Sequence, residues 1–299
     1  MTALTLGGLM VPAVSTFNAR GELDRAAFES NIDAHVAHGV DGVLVAGSSG
    51  ESALLDDTDR RALLTWARER VPSSKWLLAG VGSESTRQTI SRIHDAKSIG
   101  ASAALVVSPH YYLKRMTESA LLAHFRAIAD ASPLPVLLYN IPVYAHVVLS
   151  PAFVHEMAHH DNVIGMKDSA GNLPVFKQYL EAQNAGFRVL TGSGATVVPA
   201  LQAGASGAIL AIALYAGLAV RMMFDAARAG NVDVAVAMQA RLAPIATDIG
   251  GALGPAGIKA AMNMVGLHGG LTRGPLLPLS DDERAIVHAR LASAGVLPS

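Results

Sequence analysis

The segment NVIGMKDSAG, residues 162–171, ends a short apolar run in a lysine, an aspartate, a serine and a glycine. A lysine amine held out of bulk water is a nucleophile toward a carbonyl, with which it forms an imine. Strand alternation puts Val163, Gly165 and Lys167 on one face and Ile164, Met166 and Asp168 on the other, and Gly165 leaves room for the lysine stem. The bland alternative is a strand-end cation paired with Asp168. Upstream, YNIP at 139–142 ends another apolar run in a phenol. Tyr139 either relays protons while an imine forms and a carbon–carbon bond breaks, or is a buried tyrosine with one hydrogen bond. GSSGE at 47–51 flanks two serines with glycines. Its backbone N–H groups and hydroxyls can converge on a substrate carboxylate, though a tight strand-to-helix turn is a competing reading.

Two other motifs compete. HEMAH at 155–159 matches the zinc pattern HExxH, which sets two imidazoles on one helix face. Phe153, Val154, Met157 and Ala158 form the apolar face of that helix, so His155 and His159 are expected to point away from the core. A catalytic zinc needs a third ligand, for which Glu181 is the one candidate. GSGATV at 192–197 starts like a dinucleotide-binding loop but lacks the third glycine, and reads better as a strand-end turn presenting Ser193.

The elements that must position these groups follow a rhythm. The apolar runs LMVPAV, GVLVAG, WLLAGV, AALVVS, PVLLYN, VIGMK, FRVLTG and GAILAI alternate with amphipathic stretches such as DRAAFESNIDAHVAHG and STRQTISRIHDAKSIG. Those stretches begin near Asp, Ser or Thr caps and several end at glycine. Such alternation implies parallel strands joined by right-handed crossovers. Eight units over 1–225 predict an α/β fold, a (β/α)8 TIM barrel, with a doubly wound open sheet as the alternative. Residues 226–299 predict a C-terminal helical extension packed on the barrel. In a barrel, chemistry gathers at the C-terminal strand ends, here Ser15, Thr16, GSSGE, Ser108, Tyr139, Lys167 and Ser193.

Composition narrows the classes. Of 299 residues, 51% are hydrophobic and 16% charged, enough for a large core and against disorder. The net charge of −1 and scattered arginines are a poor footprint for nucleic acid or an anionic membrane. The absence of cysteine removes thiolate chemistry and leans toward a cytoplasmic protein, as does an N-terminus without a signal-peptide pattern. Residues 191–220 carry no charge, but Gly, Ser, Pro and Gln interrupt them, so a buried strand followed by a buried helix is expected rather than a membrane span.

GSSGE, SPHYY, YNIP and GMKDSAGN, in that order and spacing, give the chain a resemblance to pyruvate-dependent class I aldolases of the dihydrodipicolinate synthase and N-acetylneuraminate lyase superfamily, over nearly its whole length. The resemblance implies that Lys167 forms the imine with a 2-oxo acid, that Tyr139 relays protons, and that Ser48 and Ser49 hold the carboxylate and share the relay. It adds Gly47, Ser169, Ser193 and Ile209 to the substrate-binding set. It also implies a tyrosine reaching into a neighbouring subunit, best matched by Tyr111 with Tyr112 as the alternative, and hence a homo-oligomer, dimer or tetramer. It requires no metal or organic cofactor.

Departures from the pattern bear on the substrate. Dihydrodipicolinate synthases usually carry an arginine where this chain has Tyr144, and neuraminate lyases usually place acidic residues where it has GSGA. The eighth strand has Leu210 and Leu214 where Ser and Asn are common. LLAGVGSESTRQTI, GMKDSAGN and GGLTRGPLLPLS look most like the 4-hydroxy-2-oxoglutarate and 2-keto-3-deoxy-acid aldolases. The expected reaction is therefore cleavage of a 4-hydroxy-2-oxo acid to pyruvate and a short or weakly gripped aldehyde, such as glyoxylate or a sugar-derived one. The alternatives are condensation of pyruvate with aspartate semialdehyde, or a non-catalytic relative that binds pyruvate.

Overall fold

The computed structural model describes residues 5–297. Eight parallel strands close into a barrel in sequence order. They are β1 Gly8–Pro12, β2 Gly42–Val45, β3 Trp76–Gly80, β4 Ala103–Val107, β5 Val136–Asn140, β6 Val163–Asp168, β7 Arg188–Thr191 and β8 Gly207–Ile209. Closure rests on β8 pairing with β1, Gly8 opposite Gly207 and Met10 opposite Ile209, which excludes the open sheet. The strands correspond to the eight apolar runs. The last is shorter than its run, because the chain leaves Ile209 for a 3-10 turn over Ala211–Leu214.

Helices α1 Arg25–Ala37, α2 Asp57–Arg70, α3 Thr86–Ile99 and α4 Glu118–Ala131 follow the first four strands. Each starts where a side chain accepts from an otherwise orphaned N–H: Asp24 from Ala27, Asp56 from Asp59, Ser85 from Gln88 and Thr117 from Ala120. The short α5 Pro142–Ala145 and α6 Pro151–Met157 follow β5, α7 Leu173–Leu180 follows β6, and α8 Val197–Gln202 follows β7. After β8 come α9 Gly217–Arg228, α10 Val232–Ile245, α11 Gly254–Met264 and α12 Asp281–Ser293. A π-helical turn, Ala246–Gly251, joins α10 to α11 two residues after Pro244. α9 runs three residues beyond 225, where the sequence suggested the extension begins.

Two cores result. Inside the barrel, Met10, Leu44, Leu78, Leu105, Leu137 and Leu190 pack against one another. Outside it, the alternate strand residues pack against the helices. The alternation expected for β6 breaks at its start. Val163 belongs to the outer core and Ile164 packs on the inner one, because the pairing with β5 shifts register between Val136 and Leu137. Beyond the shift, Met166 points outward and the expected order resumes.

Among the described residues no helix is long and apolar enough to cross a membrane, and the uncharged stretch 191–220 is divided among β7, α8, β8 and the start of α9. The HExxH segment also fails as a helix-face pair. α6 stops at Met157, so His159 lies past its end, with Nδ1 at 2.8 Å from the His155 carbonyl. His155 Nε2 lies 3.2 Å from the Gln178 carbonyl. Among the described residues no three His, Cys, Asp or Glu side chains gather as metal ligands.

Candidate active site

At the ends of β5 and β6 the YN of one strand lies beside the KD of the other. Tyr139 pairs with Lys167, and Asn140 with Asp168. Tyr139 and Lys167 turn into the barrel. Asn140 and Asp168 turn outward, where Asn140 donates to the Asp168 carboxylate at 2.6 Å and accepts from the Leu149 N–H at 3.1 Å. Tyr179 donates its hydroxyl to the Leu149 carbonyl at 2.6 Å, closing a buried network that fixes the two strand tips. Burial pushes the Asp168 carboxyl up, opposed by hydrogen bonds from Asn140 and the Ala170 N–H. Asp168 is therefore engaged away from Lys167, which removes the bland reading of an Asp168–Lys167 pair.

Lys167 is 4% exposed, and its Nζ donates to the Tyr139 hydroxyl at 3.2 Å. That hydroxyl in turn lies 3.4 Å from Ser48 Oγ, so amine, phenol and serine form one chain. Nζ also sits 4.4 Å from the centre of the Tyr139 ring. The room for its stem is made by Gly192, not by Gly165 as alternation suggested. A Cβ at Gly192 would collide with Ser169 Oγ and come within 2.7 Å of Lys167 Cε. A Cβ at Gly165 would instead meet the Arg188 carbonyl and Leu6.

GSSGE forms a 3-10 turn over Ser48–Gly50, entered from Gly47 and left through Glu51 in the left-handed region at φ 56°. The first N–H groups of such a turn have no partner within it and face whatever binds there. Ser15 Oγ donates to the Gly50 carbonyl at 2.7 Å, so this strand-end hydroxyl supports the turn rather than the substrate. Thr16 likewise donates to the Asp24 carbonyl at 2.8 Å. Glu51 and Lys259 of α11 form a buried ion pair, and Glu51 accepts from the Arg273 N–H at 2.8 Å. The turn is thereby tied to the C-terminal helices.

A cavity of about 320 Å³ opens over these groups. Ser48, Ser49, Tyr139, Lys167, Ser169, Ser193 and Ile209 line it; Gly47 stands behind it as the start of the turn. Tyr111 and Tyr112 do not. They are 76% and 68% exposed, ring against ring edge-to-face at 5.0 Å, with the Tyr111 N–H donating to Glu84 at 2.8 Å. The sequence reading missed the far wall, to which the extension contributes Ala246, Thr247, Gly250, Gly251, Pro255 and Ile258. A helical pattern looks the same whether it faces a core or a cavity. The glycine pair of IGGALG, odd within a helix, is the sole hint. A larger cavity of about 630 Å³, lined by Asp41, Lys75 and Arg188 among others, lies at the opposite barrel end, away from Lys167, Tyr139 and Ser48 and from the face where barrel enzymes work.

Comparison with known proteins agrees with this geometry. The sequence profile described as the dihydrodipicolinate synthetase family matches residues 5–294. The chain is 33% identical over 288 residues to a 4-hydroxy-tetrahydrodipicolinate synthase of Exiguobacterium sp., covering 96% of both chains, and 36% identical over 282 residues to one of Stenotrophomonas maltophilia, covering 94% of both. Among solved structures it superposes with a TM-score of 0.92 on a family prophage protein from E. coli K12 in complex with pyruvate, at 28% identity over 98% of this chain and all of that one. The dihydrodipicolinate synthase from Acinetobacter baumannii complexed with pyruvate also gives 0.92, at 29% identity with the same coverage. The chain belongs to the dihydrodipicolinate synthetase family of class I, pyruvate-dependent lyases.

Proposed function

We propose that this protein cleaves a 4-hydroxy-2-oxo acid to pyruvate and an aldehyde, and runs the reverse condensation, through an imine on Lys167. The observation that carries the reading is the buried Lys167–Tyr139–Ser48 chain opening on a cavity. The unprotonated amine adds to C2 of the substrate, and Tyr139 gives its phenolic proton to the carbinolamine hydroxyl, which leaves as water. The resulting cationic imine withdraws electrons from C3, and the phenolate is ready to accept a proton. Tyr139, relaying through Ser48, accepts the proton of the C4 hydroxyl while the C3–C4 bond breaks and the aldehyde leaves. The same phenol returns the proton to C3 of the enamine, and water releases pyruvate and restores the amine. The carboxylate sits against the turn at Ser48 and Ser49, where N–H groups and hydroxyls converge. Tyr111 enters this scheme through a second subunit, as the resemblance implies, since its own chain places it outside the cavity.

The test is incubation with pyruvate and borohydride followed by peptide mass mapping. Label is expected on Lys167 and absent from Lys167→Ala; label on Lys114 or Lys259 instead, or none, defeats the assignment.

A second reading has its own support: the curated relatives at 33–36% identity are named 4-hydroxy-tetrahydrodipicolinate synthases. The site argues for the cleavage reading, because the position where such synthases usually place an arginine is Tyr144, which lines the cavity without a charge. Side-by-side kcat/KM values for aspartate semialdehyde and for 4-hydroxy-2-oxoglutarate or a 2-keto-3-deoxy-aldonate decide between them. Clear preference for the semialdehyde establishes the synthase.

A further inference from the structure

The cavity has two unlike halves. The lower half holds Lys167, Tyr139, Ser48 and Ser49, the polar groups that pyruvate chemistry uses. The upper half is built by Tyr144 of α5, by Ile212 and Tyr215 after β8, and by Ala246, Gly250 and Ile258 of the extension. Among the residues lining the whole cavity, Lys167 is the one with a charged side chain. The hydroxyls of the upper half are largely committed. Tyr215 donates to the Ile245 carbonyl at 3.0 Å, and Thr247 to the Ala243 carbonyl at 3.1 Å. Among the described residues the Tyr144 phenol accepts and donates no side-chain hydrogen bond, so it is the one upper-half hydroxyl left for a ligand, and the rest of that surface is ring and methyl.

The glycines of the π-helical turn enlarge this space without serving the backbone. Gly250 and Gly251 are not in the left-handed region, and an added Cβ would meet its neighbours at 3.5 Å or more, an ordinary contact. A side chain at Gly250 would stand beside Tyr215 and Ile258, both on the cavity wall. Volume is therefore left open where a larger residue could be accommodated. A cavity of about 320 Å³ greatly exceeds what a three-carbon acid fills.

Resting on the imine reading above, we infer that the aldehyde partner is uncharged, with an apolar body of aryl or branched-alkyl type. A carboxylated aldehyde would bury its anion against a wall without a cation, which costs several kcal/mol unless it is paired. A polyol would give up several hydrogen bonds to water for the single free phenol of Tyr144, the other two upper-half hydroxyls being donated elsewhere. An apolar body gains by burial between Tyr144, Ile212 and Ile258. The glyoxylate or small sugar aldehyde suggested by the sequence fits the shortage of polar groups but not the surplus of apolar surface.

The test measures kcat/KM for condensation of pyruvate with benzaldehyde, acetaldehyde, D-glyceraldehyde, glyoxylate and aspartate semialdehyde, alongside borohydride trapping of pyruvate on the same preparation. Benzaldehyde is expected to exceed glyoxylate and the semialdehyde by tenfold or more. In Gly250→Val, which fills the upper half, benzaldehyde should lose about tenfold relative to acetaldehyde, the scale of discrimination available to an apolar pocket. Preference for glyoxylate, the semialdehyde or glyceraldehyde with Lys167 still trapped overturns this inference alone. Absence of trapping overturns the imine reading and this inference with it. The wild-type panel is decisive if the variant does not fold.

Discussion

At the scale of single residues, the proposed chemistry rests on one amine, one phenol and the space between two strand tips. Tyr139→Phe keeps the ring over Lys167 and removes the hydroxyl that links Nζ to Ser48. Turnover should fall by about 10² or more, the usual loss for an acid–base group, with trapping of pyruvate still detectable. A near-normal kcat would make the phenol structural. Gly192→Ala sets a methyl group against Lys167 Cε and Ser169 Oγ, so it should suppress imine formation in a protein with unchanged far-ultraviolet circular dichroism. Normal trapping would show that the lysine does not need this space. The placement of Lys167 and Tyr139 at neighbouring strand tips was legible in the sequence because both close apolar runs, although each alone also fitted a structural reading. Gly192 was not: its role arises from the neighbouring strand, and pairing between β6 and β7 is nowhere written in local sequence. Gly165 misled for the same reason, being close in sequence and remote in effect.

At the scale of elements, the turn GSSGE is held from both sides. Ser15 supports it from the end of β1, and Glu51 anchors it to Lys259 of α11 and to Arg273. Lys259 also donates to the Leu271 carbonyl at 2.6 Å and lies 4.6 Å from the Phe17 ring, and burial pushes its ammonium pKa down despite the Glu51 charge. Removing one member of such a pair strands a charge in the core. Lys259→Met should therefore destabilise the fold by about 3–5 kcal/mol in urea titrations, and the double change Glu51→Gln, Lys259→Met should recover much of that. Additive losses would show that the two side chains are not coupled. The strands, the first helices and their caps were readable from period and capping chemistry. The attachment of Glu51 was not, because more than 200 residues separate it from Lys259 and neither flanking pattern names the other.

At the scale of the whole molecule, the fold buries two of its histidines where a charged imidazole is disfavoured. His35 of α1 is 1% exposed, and neither ring nitrogen has a partner among the described residues. Burial, and secondarily His38, pushes it down to about 4. Burial also brings His124 to about 4, opposed by Glu84, with its Nδ1 at 2.8 Å from Thr86 Oγ1. The unfolded chain binds these protons more readily, so between the ordinary value near 6.5 and about 4 it holds more protons than the native state. The stability they contribute is complete above that window and lost as pH falls through it, on the order of 3 kcal/mol for His35. Thermal unfolding followed from pH 7.5 to 4 should show a falling Tm, with a shallower fall in His35→Leu. Equal slopes would place the acid sensitivity elsewhere.

The clamp on Glu51 also sets a timetable. Ribosomes release the chain from its N-terminus, so all eight strands and Lys167 emerge before Lys259, Arg273 and the glycines of the π-helical turn. A nascent chain that has exposed residues up to Arg228 holds all eight strands, but its Glu51 lacks the Lys259 partner and its cavity lacks the upper wall. Reactive lysine and finished enclosure thus arrive in that order. A premature stop anywhere before Lys259 should therefore leave Glu51 without its partner, and such a chain is expected to be cleared by proteases faster than the full one in pulse-chase measurements.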